Sequence, residues 1–127
     1  MKGKKFASTS RKIMPFVIGE EGYVLQEMTG ADRSEYLNKM SANRLKIQVG
    51  DKTETSIKRL GDLELDILEP CMYYAQLKEA GESDFDIVKI EGRVPLDVIN
   101  NLPASIVVEL ISSARELNNL GGEKGNG

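Results

Sequence analysis

The sequence predicts a mainly α-helical domain with one N-terminal antiparallel β-hairpin. Two short runs of alternating apolar residues flank a glycine-bounded turn within residues 14–28, which is typical of a hairpin. Beyond residue 29, most apolar residues recur every three or four positions, the spacing that puts side chains on one helix face. A chain of 127 residues with 40% hydrophobic content is enough for a single soluble globular domain.

The hairpin is predicted from the segment IMPFVIGEEGYVLQEM, residues 13–28. Apolar residues alternate with their neighbours on both sides of the turn, namely Met14, Phe16 and Ile18 before it and Tyr23 and Leu25 after it. Two strands alone are only marginally stable in water. We therefore expect this hairpin to pack against helices.

A capped helix is predicted to follow the hairpin directly. Thr29 would cap it, with Asp32 three residues later in a capping-box arrangement, and ADRSEYLNKMSANR would form the helix. Tyr36, Leu37 and Met40 would lie on its apolar face. Residues 46–49 alternate again, and the sequence leaves both a third strand and a loop open there.

Residues 53–80 return to helical spacing, with apolar residues at Ile57, Leu60, Leu63, Ile67, Cys71 and Tyr74. Pro70 interrupts this pattern, and a proline inside a continuous helix costs about 3 kcal/mol. We therefore expect one helix to end near Leu68 and a second to begin with Pro70 in its first turn. Gly81 would cap the second helix. Residues 82–94 are compatible with either a strand or a packed loop.

The C-terminal part predicts a short helical turn in PLDVINN and a final amphipathic helix that begins at Pro103 and ends at Leu120-Gly121-Gly122. The apolar face of that helix comprises Ile106, Val107, Leu110, Ile111, Ala114 and Leu117. This face is wide for one small helix. Ile106, Val107, Leu110 and Ile111 are therefore our candidates for core packing and partner contact together.

Charge and composition divide the chain into three parts. Residues 1–12 carry five basic side chains and no acid, while the rest of the chain carries the other 12 basic and all 20 acidic residues. We expect 1–12 to be a flexible basic arm, 13–120 one mostly helical domain, and 121–127 a disordered tail. The arm could bind nucleic acid, but no aromatic side chain lies between its first three lysines and the body is acidic.

Several absences narrow the function. The chain has no histidine and one cysteine, and it lacks the CxxC, GxGxxG and GxxxxGK[ST] patterns. We therefore expect no enzymatic activity, no metal and no cofactor. Cys71 lies on an apolar stripe, so we expect a buried structural thiol, and in Tyr73-Tyr74 one core ring and one rim ring. No apolar run is long enough for a membrane span or a signal peptide, which favours the cytosol.

The order of elements resembles that of the tail assembly chaperones of long-tailed bacteriophages, over about residues 10–120. Three segments carry the resemblance: FVIGEEGYVLQEMTGADRSEYLNKM, LELDILEPCMYYAQL and VINNLPASIVVELISSARELNNLGG. The resemblance implies a helical protein with an N-terminal hairpin that coats the tape measure protein and keeps it soluble. Tail tube subunits would then replace the chaperone copies as the tube polymerises in the host cytoplasm.

The resemblance further implies self-association into open, spiral oligomers and a longer form made by ribosomal frameshifting. A helix that ends before GGEKGNG would give such an extension a flexible joint, although an ordinary frayed C-terminus explains the same residues. The competing function is a small helical adaptor or regulator that binds nucleic acid through the basic arm.

Overall fold

The computed structural model describes residues 1–48 and 65–120. Four strands and three helices follow one another in the described chain. The strands are β1 (Ile13–Ile18), β2 (Glu21–Gln26), β3 (Met72–Gly81) and β4 (Asp84–Arg93). The helices are α1 (Gly30–Gln48), which lies between β2 and β3, and α2 (Leu96–Asn100) and α3 (Ala104–Leu117), which follow β4.

The predicted N-terminal hairpin is confirmed. β1 and β2 pair antiparallel from Ile13 opposite Gln26 to Ile18 opposite Glu21. The turn therefore consists of Gly19 and Glu20 alone. The glycine-bounded turn predicted from the sequence, residues 19–22, was two residues longer. Gly19 has φ 65°, whereas Glu20 keeps a negative φ. A glycine with positive φ at the first loop position is the signature of a type II′ turn, which matches the twist of the flanking strands.

The capped start of α1 is confirmed, whereas its predicted end is wrong. The backbone N–H of Asp32 donates to Thr29 Oγ1 at 3.1 Å, which satisfies one of the free donors of the first turn. The helix continues to Gln48, so residues 46–48 are helical and form neither a strand nor a loop. Tyr36 is buried and Met40 packs against the core, but Leu37 is 43% exposed.

The predicted mainly α-helical class is wrong, because the fold is mixed α/β with roughly equal helix and strand content. Leu65 and Asp66 are helical and the chain turns through residues 67–71, with Pro70 in the turn. It then forms β3, not the expected second helix, and Gly81 ends a strand. Residues 53–64 of the predicted first helix lie outside the described residues.

β3 becomes a strand because it has a strand partner on each side. It pairs with β2 through Tyr23 opposite Tyr74 and with β4 along most of its length. The β3–β4 ladder contains three register irregularities, which break strict alternation and leave apolar residues at spacings that imitate a helix. Of the two alternatives open for residues 82–94, the strand is confirmed as β4.

The sheet has the order β1-β2-β3-β4, and it is curled so strongly that the two edge strands also lie near each other. One face packs against the helices and forms what we call the helix-side core. It joins residues of β2 and β3, the turn before β3, and all three helices, including Leu25, Met72, Leu68, Tyr36, Ile99 and Leu110. The helices therefore cover one side of the sheet.

The short helical turn and the last helix are confirmed as α2 and α3, each preceded by a proline. α3 ends before the predicted Leu-Gly-Gly stop. The N–H of Leu120 donates to the carbonyl of Arg115 at 2.7 Å, and that of Asn119 donates to Glu116 at 3.2 Å. With Asn119 at φ 57°, these two bonds form a Schellman cap. The predicted disordered tail, 121–127, lies outside the described residues.

Candidate functional site

The four predicted partner residues of α3 all contribute to the core, and two of them also line a groove. Val107 and Leu110 are buried, whereas Ile106 and Ile111 are half-buried and pack against the helix-side core. Ile106 and Leu110 also reach a surface groove between β1 and α3. Val108, on another side of the same helix, is 65% exposed and lies outside that groove.

We call this feature the β1–α3 groove; its volume is about 320 Å³. The β1 wall is formed by Met14, Phe16 and Ile18, and the α3 wall by Ile106 and Leu110. Glu109 and Ser113 supply the polar groups of the α3 wall. The groove is therefore apolar with a polar margin, and its two walls come from residues about 90 positions apart in the chain.

Aromatic stacking supports the β1 wall of the groove. The Phe16 ring stacks on Tyr23, which lies directly opposite it on β2, with ring centroids 5.3 Å apart and planes 14° apart. The Tyr23 ring also packs against the ring of Tyr74 on β3, with centroids 5.6 Å apart. Burial raises the pKa of Tyr23, and the nearby Glu21 charge raises it further, so the ring stays neutral at physiological pH. The three rings hold the groove wall in place.

Pro15 interrupts the outer edge of β1. The N–H of Glu27 donates to the carbonyl of Lys12 at 2.8 Å, which makes this a hydrogen-bonded pair of the β1–β2 ladder. Hydrogen-bonded pairs alternate along an antiparallel ladder, so the nitrogens of Ile13, Pro15 and Val17 point outward. Proline has no N–H, and the middle donor of this edge is therefore missing.

Asn118 was missed by the sequence interpretation, although it connects three parts of the fold. Its side chain is buried, and its Oδ1 accepts a 2.8 Å hydrogen bond from the Met28 N–H, just before α1. Its Nδ2 donates to the Ala114 carbonyl at 2.8 Å and to Cys71 Sγ at 3.5 Å. Its own carbonyl accepts from Arg33 at 2.8 Å. An asparagine just after an amphipathic helix was the available signal, since asparagine is common in C-terminal caps.

The predicted burial of Cys71 is confirmed. The residue is fully buried in the helix-side core, and burial raises the pKa of its thiol to about 11, despite the opposing hydrogen bond from Asn118. A thiol with such a pKa is almost entirely protonated at neutral pH. Tyr73 and Tyr74 lie on neighbouring strand positions and so face opposite sides, Tyr74 toward the core and Tyr73 beside Arg93.

A small polar cleft of about 180 Å³ separates the start of α1 from the turn before β3. Arg93 spans one side of it, donating to Asp32 Oδ2 at 3.0 Å and to the Tyr73 hydroxyl at 3.3 Å. Lys39 lies 3.7 Å from Glu69. Among the described side chains, no three carboxylate or thiol groups are arranged so that they could hold a metal ion.

The basic arm extends from the sheet into solvent. Residues 1–10 are all exposed, and Lys4 Nζ lies 5.6 Å above the ring of Phe6, which is itself 74% exposed. Among the contacts of the described residues, the ones that hold the arm to the body lie where it joins β1. There the Lys12 N–H donates to Glu27 Oε1 at 2.9 Å, and Arg11 donates to the Glu27 carbonyl at 3.2 Å.

Comparison with protein-family models, curated proteins and solved structures finds no match to this chain. The function therefore has to be argued from the molecule itself. Within residues 1–48 and 65–120, no helix combines the length and the apolar character that crossing a bilayer requires.

Proposed function

We propose that this protein is a non-catalytic tail assembly chaperone of a long-tailed bacteriophage, which coats the tape measure protein and keeps it soluble before the tail tube polymerises. The observation that carries the proposal is the β1–α3 groove, which has apolar walls on both sides and a stacked aromatic support. Such a groove suits the apolar face of a helix, and the tape measure protein is the long helical client that the resemblance implies.

The outer edge of β1 supports a helical client over an added β-strand. A strand that paired with this edge would need the outward N–H groups of Ile13, Pro15 and Val17, and the central one is missing. Prolines on edge strands prevent unwanted strand pairing for this reason. The groove beside the edge offers apolar side chains instead, which a helix can contact without using backbone hydrogen bonds.

The order of elements also supports the proposal where it agrees with the resemblance. The hairpin leads directly into a helix capped by Thr29, and Leu102-Pro103 precedes the amphipathic α3. The middle segment departs from the implied helical pattern, since LEPCMYYAQL forms a turn and a strand. The order of elements therefore agrees with the resemblance only in the first and last segments.

The proposal includes reversible self-association into open oligomers, displacement by tail tube subunits and action in the host cytoplasm. It also includes a longer, frameshifted form. Exposed apolar side chains away from the groove, such as Leu37 and Val88, provide contact surface for client or neighbouring copies.

The test is co-expression of this protein with the tape measure protein from the same phage, followed by measurement of the soluble client fraction. Ile106→Asp places a charge in the groove, and Ser113→Lys adds a long cationic side chain to its wall without removing apolar packing. Val108→Asp is the matched control, because it introduces the same charge on the same helix outside the groove.

We expect the wild type and Val108→Asp to keep the client soluble and both groove variants to lose most of that activity. Circular dichroism identifies any variant that fails to fold, and Ser113→Lys decides the result if Ile106→Asp unfolds. Folded groove variants that solubilise the client as well as the wild type would refute the proposal. So would a wild-type protein that leaves the client insoluble.

A further inference from the structure

A second groove lies on the face of the sheet opposite the helix-side core. We call it the tip groove; it has a volume of about 550 Å³ at the end of the sheet where both hairpin turns lie. Its apolar lining comes from all four strands and consists of Val17, Gly22, Ala75, Leu77 and Phe85. None of these residues belongs to the helix-side core, and Val17 is the one apolar side chain among them that also lines the β1–α3 groove.

The floor of the tip groove depends on Gly22. A β-carbon added there would lie 2.6 Å from the Ala75 carbonyl oxygen and 3.1 Å from Leu77 Cγ. Gly22 has no side chain and Ala75 has only a methyl group, so the centre of the groove stays open. The larger apolar side chains of the lining, Val17, Leu77 and Phe85, stand around this depression. Val17 at one side is 39% exposed.

The rim of the tip groove is acidic. Three exposed carboxylates, those of Glu20, Glu21 and Glu79, surround the apolar lining, and we call them the rim glutamates. The adjacent β3–β4 turn adds Glu82, and the start of β4 adds Asp84 and Asp86. Among the described residues, no cation lies within salt-bridge distance of a rim glutamate. The groove is therefore suited to an apolar group flanked by positive charges.

The basic arm has that chemistry. Lys2, Lys4 and Lys5, which we call the arm lysines, immediately precede Phe6, and all four side chains are exposed. The ring of Phe6 is 74% exposed, an unusual position for a large apolar group in a protein that offers an apolar groove elsewhere. Charge and apolarity thus match between the arm and the tip groove.

The positions of the two features favour contact between copies. The arm leaves β1 at Ile13, whereas the tip groove lies at the other end of this strand, beside Val17 and the β1–β2 turn. β1 is about 20 Å long at roughly 3.3 Å per residue, and the bonds of Arg11 and Lys12 to Glu27 direct the arm away from its own tip. Residues 6–12 span up to about 23 Å when extended, enough to reach a neighbour.

We propose that the basic arm of one copy docks in the tip groove of a second copy, with Phe6 against the apolar lining and the arm lysines against the rim glutamates. The donor and acceptor surfaces are different and lie at opposite ends of the molecule. A contact of this heterologous kind repeats from copy to copy and builds an open chain unless the rotation happens to close a ring. The proposal concerns the protein alone and does not depend on the identity of the client.

The test is sedimentation velocity of the full chain at several protein concentrations, in low and in high salt. We expect the wild type to associate with rising concentration and to dissociate in high salt, because exposed charge pairs are screened. Replacing the three arm lysines with glutamate, or the three rim glutamates with lysine, should each weaken association by about tenfold or more. Phe6→Ala should weaken association in high and low salt alike, since its contribution is apolar.

The decisive variant carries both triple replacements in one chain. Its net charge is again −3, the value of the wild type, and its arm and rim are again opposite in sign. We expect this variant to associate as the wild type does. A mixture of the two single-site triple variants should also associate, because each offers the charge that the other needs.

Three outcomes would overturn the proposal. One is a wild type that stays monomeric at all concentrations, as it would if the arm bound the groove of its own chain or bound nothing. Another is a doubly reversed variant that remains dissociated while circular dichroism shows it folded. The third is unchanged association of the arm variants together with loss of their binding to a DNA oligonucleotide, which would assign the arm to nucleic acid.

Discussion

Replacing Asn118 with alanine should destabilise the protein, although the residue touches neither groove. The side chain is 5% exposed, and it is the acceptor for the buried Met28 N–H at 2.8 Å. Leaving a buried N–H without a partner costs about 1–3 kcal/mol. The Ala114 carbonyl is less affected, because it keeps the backbone N–H of Asn118 as a donor at 3.1 Å.

The full effect of Asn118→Ala combines that lost acceptor with the small cavity left by the removed amide, and we expect about 2–3 kcal/mol in total. For a chain of this length, the midpoint of thermal unfolding should fall by about 10 °C. Urea denaturation followed by far-ultraviolet circular dichroism measures the change, since the chain has no tryptophan. The midpoint should move while the slope m stays constant.

Asn118→Asp tests the side-chain acceptor, Oδ1, separately from the side-chain donor, Nδ2. An aspartate keeps an oxygen for the Met28 N–H but, when ionised, presents a charge to the Ala114 carbonyl in place of a donor. We expect this variant to be less stable at pH 7 than at pH 4, where a protonated carboxyl can donate again. Asn100→Ala is the control, because Asn100 is exposed and its replacement should change stability by less than about 0.5 kcal/mol. A loss below about 0.5 kcal/mol for Asn118→Ala would refute the assigned role.

Three further predictions concern single residues. Cys71 should react with a thiol reagent at pH 8 only after the protein unfolds, and rapid labelling of the native protein would contradict this. The free energy of unfolding should also fall as the pH rises from 9 toward 11, because the thiol of the unfolded chain loses its proton at a lower pH than the buried thiol does. Gly22→Ala should cost about 1–3 kcal/mol in urea denaturation, since the added carbon meets the Ala75 carbonyl, while Gly92→Ala, with open space around it, should have little effect. Ser83→Gly should raise the free energy of unfolding by about 0.5–1 kcal/mol, because Ser83 has φ 61°; an unchanged urea midpoint would show that this turn is not strained.

The sequence alone determined the elements whose signals are local. The β1–β2 hairpin followed from alternation on both sides of Gly19, and the start of α1 followed from Thr29 three residues before Asp32. The amphipathic face of α3 was also predicted correctly. In these three cases the cause lies within a single helix or hairpin, so the residues that cause the structure are also neighbours in the chain. Cys71 is buried as expected, but it lies in the turn before β3 and not on the helical stripe from which its burial was predicted.

Only the tertiary structure decided that residues 72–81 form a strand, β3, and not a helix. Its residues include Ala75, Gln76, Leu77, Lys78 and Glu79, which are strong helix formers, and their helical preference is overridden by pairing with β2 and β4. β-propensity depends on cross-strand neighbours, and the β2 partner of Tyr74 is 51 positions earlier in the chain, at Tyr23. No window around residue 75 contains that information.

The two grooves and the hydrogen bonds of Asn118 could not be predicted from the sequence either. The β1–α3 groove joins Phe16 to Ile106, and Asn118 bonds to Met28 and Cys71, all through folding of distant segments. The sequence did reveal what each segment brings: apolar side chains on β1 and α3, and positive charge on the arm. The curl of the sheet and the packing of the helices on one of its faces decide which of these surfaces meet. Both depend on contacts between residues far apart in the chain, which local sequence patterns do not contain.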